Sequence, residues 1–175
     1  MVAEKFGPRQ PNHRREPVGS EATHGRRLDP PVEHPVLPLL VWRIRWKDRP
    51  VKVLVVDGAN VVGSVPDGWW RDRAGASASL HAGLQNADLS FDWVVLVLEG
   101  SARAGVPEGE AGGVTTVHAP GEGDDEVVAQ CRDHTASGDA VTVASAYRGL
   151  LSRLDPLGVT TLGPRALRAE VSSQR

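Results

Sequence analysis

A single cysteine, Cys131, leaves this chain no partner for an intramolecular disulfide and no cysteine set for a zinc knuckle. Cys131 therefore reads as a small apolar packing residue. No apolar run is long enough to cross a bilayer, so no membrane partner is expected. The early residues lack the continuous apolar stretch of a secretory signal, and a reducing cytoplasm is the simplest expected home. The common phosphate-handling signatures are missing too. There is no Gly-x-x-x-x-Gly-Lys-Ser/Thr loop, and Gly121-Glu122-Gly123 lacks the third glycine and the strand-then-turn setting of a dinucleotide fingerprint. Asp57 has no second aspartate two residues on, which disfavours a phosphoaspartyl hydrolase, and no Gly-x-Ser-x-Gly elbow occurs. His118 reads as a strand end and His81 and His134 as helix surface, with no histidine pair at metal-ligand spacing.

What is present divides near residue 50. Residues 1–50 carry ten Lys/Arg and six Asp/Glu, whereas residues 51–175 carry ten and sixteen. A net of +4 thus precedes a net of −6, and together they give the overall −2. The first 35 residues hold six prolines and few large apolar side chains, too little apolar area to offset ordering entropy. Only three of the twenty basic residues are lysine, a bias that fits a GC-rich genome, where start sites are often placed too early. Residues 1–50 are therefore expected to be a disordered tail or an extension from such a start site. Within them Val36–Trp46 is more apolar and alternates around Trp42, Ile44 and Trp46, as an added edge strand or a sticky pre-domain segment would. One folded domain is expected over 51–171, with 172–175 a short tail.

From residue 51 the pattern becomes regular. Val51–Val56, Asp92–Leu98, Val114–His118 and Ala140–Ala144 are apolar, β-branched runs of the kind buried on both faces, with Val159–Leu162 a weaker fifth. Helical spacing fills the gaps. Trp69, Ala76, Leu80 and Leu84 share one face; Val127, Val128, Cys131 and Thr135 share a second; Leu150, Leu151, Leu154 and Leu157 share a third. Gly138 and Gly158 stand where helices should end, and Gly163-Pro164 can open a last one. Strands alternating with helices predict a central parallel sheet covered by helices on both sides, three layers with right-handed crossovers.

Parallel strands present their carboxyl ends at one edge, where ligands collect. Asp57 and Asn60 follow the first run, Glu99 and Ser101 the second, Asp124, Asp125 and Glu126 the third, and Ser145, Tyr147 and Arg148 the fourth. Carboxylates converging at one edge repel by several kcal/mol at short range, and a divalent ion reverses the sign. Mg²⁺ or Mn²⁺ suits oxygen ligands and retains waters for phosphate chemistry. The same residues also have plain structural uses. Asp57-Gly58-Ala59-Asn60 can be a strand-to-helix turn, and acids in a first helical turn favour the macrodipole unaided. Trp69-Trp70 with Arg71 and Arg73 is expected to open the first helix beside the site, one tryptophan in the core and the other free to stack on a base. The alternative is a helix with a solvated Arg/Asp face.

The segments VLVVDGANVVGSVPDGWWRDRAGA, VVLVLEGSAR, HAPGEGDDEVVAQCRD and DAVTVASAYRGLLSRLDPLGVTTLGPRALR, taken in order, resemble the NYN domain of the YacP-like group, a branch of the PIN-like ribonuclease superfamily. The resemblance spans about residues 51–171. It implies a three-layer α/β/α Rossmann-like sandwich with a central parallel sheet and metal-dependent cleavage or binding of RNA, with Asp57, Glu99 and Asp124, and Asp125 beside it, as ligands of Mg²⁺ or Mn²⁺ and a metal-bound water as nucleophile. Asn60 would join the catalytic set and meet substrate with Ser145 and Arg148, while Arg71 and Arg73 are expected from their place beside Trp69-Trp70 to meet a substrate phosphate. Two positions depart from the family pattern. Glu99 stands where an aspartate is usual, and Tyr147 replaces the acid that usually precedes the arginine; a neutral phenol cannot replace a carboxylate on Mg²⁺. The expectation is a cytoplasmic metal-dependent ribonuclease. The alternative is a catalytically weakened relative that binds RNA, the ribosome or RNA-processing factors, and a nucleotide phosphohydrolase is the third reading.

Overall fold

The computed structural model describes residues 49–172. The expectations for the amino-terminal extension, including the Val36–Trp46 strand, lie outside the described residues, as do residues 173–175. Strand β1 (Lys52–Asp57) is the centre of the fold. Val53, Leu54, Val55 and Val56 are all 0% exposed, so both faces of this strand are covered. It pairs in parallel with β2 (Trp93–Leu98) on one side and β5 (Ala140–Ala144) on the other. Outside these lie β4 (Val114–His118), parallel to β2, and β6 (Thr160–Leu162), parallel to β5. The sheet order is β3-β4-β2-β1-β5-β6, where β3 (Gly109–Ala111) runs antiparallel to β4.

Alternate side chains feed two cores. Leu54, Val56, Leu96 and Leu98 pack with Val61 and Val62 of α1 (Gly58–Gly63), Leu80 and Leu84 of α2 (Arg73–Asn86), and Leu167 and Val171 of α5 (Pro164–Ser172). Val53, Val55, Val95, Val97 and Val143 pack with Val127, Val128 and Cys131 of α3 (Gly123–Ala136) and Leu150 and Leu154 of α4 (Arg148–Leu154). This is the expected three-layer sandwich. Cys131 is fully buried, and burial pushes its thiol up to about 12. Gly138 and Gly158 follow α3 and the turn after α4 in left-handed conformations (φ of 86° and 66°), as the sequence anticipates.

Three local expectations need correction. Trp69–Arg71 is a separate 3₁₀ turn and does not open the first long helix. Gly68 precedes it at φ 88°, and the helix begins only at Arg73, where the Asp72 carboxylate accepts from the Gly75 N–H at 2.7 Å. The third helical face is broken as well. α4 ends at Leu154, and Leu157 belongs to a 3₁₀ turn over Asp155–Leu157, because Pro156 cannot supply the N–H that α-helix continuation needs. Finally, β3 extends the sheet by one short antiparallel strand that the apolar pattern does not announce.

Candidate functional site

The chain steps outward from β1 to β2 and β4, then returns to β5 on the other side of β1. The reversal falls between β1 and β5, the position where doubly wound sheets open a crevice at their carboxyl edge. Asp57, the last residue of β1, stands there and is 8% exposed. Its Oδ1 accepts from the Asn60 N–H at 3.0 Å, which caps α1. Its Oδ2 accepts from the Ser145 hydroxyl at 2.8 Å, a bond that reaches across the reversal to the residue after β5. Ser145 in turn accepts from the Tyr147 N–H at 3.2 Å, and the Asn60 side-chain oxygen accepts from the Ala146 N–H at 3.0 Å. Two of these bonds, Ser145 to Asp57 and Ala146 to Asn60, thus tie the end of β1 to the end of β5 beneath the site, and the other two brace them locally.

Asp57, Asn60, Glu99, Asp124 and Tyr147 line one groove of about 230 Å³ with Ala59, Val97 and Gly123. Glu99 follows β2, and one of its oxygens accepts from the Gly123 N–H at 2.6 Å, fixing the amino end of α3 against it. A Cβ at residue 123 would lie 2.8 Å from the same Glu99 oxygen, so a side chain there would push the carboxylate aside. Burial pushes Asp57 above the ordinary carboxylate range; its two hydrogen bonds oppose this, while the charges of Asp124 and Glu99 add to it. Asp124 is also raised, first by burial, with Arg153 pulling it down and Glu99, Glu122 and Asp125 pushing it up. Negative charge is crowded here.

The other candidates are placed differently. Asp125 does not line the groove, and its carboxylate pairs with Arg153 at 2.6 Å. Ser145 is 3% exposed and holds Asp57 instead of facing the groove. Arg148, the first residue of α4, is exposed. Arg73 lies over the Trp69 ring at 5.2 Å and shares a narrow crevice with Gly58, Ala59 and Glu99 beside the acidic groove. Arg71 lines neither the groove nor that crevice. Trp69 packs on the core, whereas Trp70 is 53% exposed. Sequence reasoning missed Arg153 and the Gly123 N–H. Arg153 lies 28 residues from Asp125, and only the packing of α4 beside α3 brings them together. The Gly123 bond had a visible signal in the Gly-Asp-Asp-Glu run that opens α3.

The donor chemistry suits a small divalent cation, since every ionisable side chain in the groove apart from the Tyr147 phenol is a carboxylate. Among the described residues, no three His, Cys, Asp or Glu side chains form a group that could hold a metal ion.

Fold and site together define a doubly wound α/β domain with an acidic groove at its switch point. Among solved structures, its fold is similar to that of Rae1 (YacP) from Bacillus subtilis, determined as a point mutant, at 16% identity and a TM-score of 0.49 over 70% of this chain and 76% of that one. No family model matches the chain, and no curated protein does.

Proposed function

We propose that this chain is a metal-dependent ribonuclease that hydrolyses RNA phosphodiesters in the acidic groove. The observation that carries the reading is the convergence of Asp57 at the end of β1, Glu99 just after β2 and Asp124 in the first turn of α3 in one groove, where two of them are pushed up in pKa. Clustered, partly buried carboxylates raise the free energy of the empty site, and a cation between them removes that penalty. Asp57 and Asp124 would hold Mg²⁺ or Mn²⁺, with the Glu99 oxygen not bonded to Gly123 beside them. When bound, such an ion supplies charge neutralisation at the phosphate and activation of water. Asn60 offers its side-chain amide N–H groups to a phosphate oxygen, since its carbonyl oxygen is held by Ala146. The proposed compartment is the cytoplasm, where one free, buried cysteine is unremarkable.

A second reading is favoured by Tyr147, whose side chain lines the groove where a further acid would complete the ligand set. In it the domain binds RNA, the ribosome or an RNA-processing factor without cutting. One experiment separates the readings: the full chain and its Asp57→Asn variant are incubated with structured and single-stranded RNA and with nucleotides in Mn²⁺. Cleavage by the parent, reduced about a hundred-fold or more in the variant, is the expected outcome. Equal cleavage by both overturns the nuclease reading. RNA retention without cleavage supports the second, and nucleotide hydrolysis without RNA cleavage points to a phosphohydrolase.

A further inference from the structure

A second, larger groove of about 540 Å³ adjoins the acidic one, and the two share Ala59 and Asn60 as a common wall. Gly63, Ala146, Gly163 and Pro164 line it, so it runs between the end of α1, the start of α5 and the segment after β5. Its volume falls within the range of about 300–1,000 Å³ typical of small-molecule sites. Arg165 also lines it and carries its charge. Only the Nε of Arg165 is committed among the described residues, donating to the Ser64 carbonyl at 3.2 Å. That bond anchors the guanidinium to α1 and leaves both terminal nitrogens to meet an anion. Arg168, three residues on in the same helix, is differently engaged and pairs with Asp67.

We infer that this groove holds the nucleotide adjoining the scissile bond, with its phosphate on Arg165. The inference rests on the ribonuclease reading and supplies what that reading lacks. A polyanion approaching three carboxylates is repelled unless cations flank them, and the domain as a whole is acidic. Asn60 stands at the junction, where its amide can bridge the two grooves while its oxygen stays on Ala146. The lining of glycine, alanine and proline offers no aromatic platform. Ser64, the hydroxyl residue of the groove, spends its O–H on the Val61 carbonyl at 2.7 Å. The groove therefore recognises backbone and not base identity.

Two variants of the full chain test this against a fluorescent single-stranded RNA in Mn²⁺, scored for cleavage and for binding. Arg165→Gln removes the cation. Gly163→Glu adds a carboxylate to the groove wall at a position where a new Cβ meets nothing within 4 Å. Each should raise KM and Kd about five-fold, the scale of one partly exposed ion pair, with kcat within about two-fold. Arg165→Gln should also flatten the salt dependence of binding by about 0.7 in log–log slope, the contribution of one phosphate on a single strand. Parental KM, Kd and salt slope in both variants would overturn the path while leaving the nuclease intact. If the parent neither cuts nor retains RNA, the ribonuclease reading falls and this path falls with it.

Discussion

Asp57 accepts two hydrogen bonds and is still raised in pKa, which means burial and the neighbouring charges of Asp124 and Glu99 outweigh the bonds. The sign of the consequence is fixed. A carboxylate raised on folding adds stability below its ordinary value, and that contribution is lost as pH rises through the raised value. At neutral pH Asp57 therefore works against the fold. Asp57→Asn keeps an acceptor for the Asn60 N–H and removes the charge, so in EDTA it should melt a few degrees above the parent at pH 7. The gap should close as the pH falls below the ordinary carboxylate range. Melting followed by circular dichroism across pH checks this, and an unchanged or lower midpoint at pH 7 would refute the repulsion account. Asp57 and Asn60 were legible because an apolar run ending in a carboxylate is a buried strand delivering an acid. The tie to Ser145 was not, since it depends on β5 lying beside β1, a fact of topology 88 residues away.

Among the elements, β1, β2 and β5 were readable because strands covered on both faces must be apolar throughout. β3 was not, because Gly109, Glu110 and Ala111 are all exposed and owe their strand form to pairing with β4. α1 is the more instructive case. Its six residues, GANVVG, have little helical propensity and form a helix because Asp57 caps it and Val61 and Val62 bury against the sheet. Gly58 allows the close approach: a Cβ there would sit 2.6 Å from the Val97 carbonyl oxygen and 2.8 Å from a Leu98 methyl. Gly58→Ala should accordingly destabilise the domain by about 1–3 kcal/mol, the usual range for overpacking a tight contact. Because α1 carries Asn60, Mn²⁺-dependent activity should fall with it. Denaturant midpoints with an unchanged m-value measure the first effect, and a parental midpoint would show that α1 can shift at no expense.

At the scale of the molecule, charge and position work together. Residues 51–175 carry a net −6, and three of their acids crowd one groove at the switch point of the sheet. That groove is joined across Ala59 and Asn60 to one carrying a cation, so the edge presents repulsion and attraction side by side. A divalent ion that binds the folded domain and not the unfolded chain must stabilise it by mass action, by about 2.7 kcal/mol at a hundred times its Kd. For a domain of this size that is a rise in Tm on the order of 10 °C. Mn²⁺ should produce such a shift, EDTA should return the midpoint to its starting value, and Asp57→Asn should lose most of the response. General screening of the acidic surface predicts something else: NaCl at matched ionic strength would raise the midpoint as much, and the Asp57 variant would respond like the parent. The two accounts part on a single melting series. A shift that follows ionic strength instead of Mn²⁺ would leave Asp57 and Asp124 without the cation proposed for them.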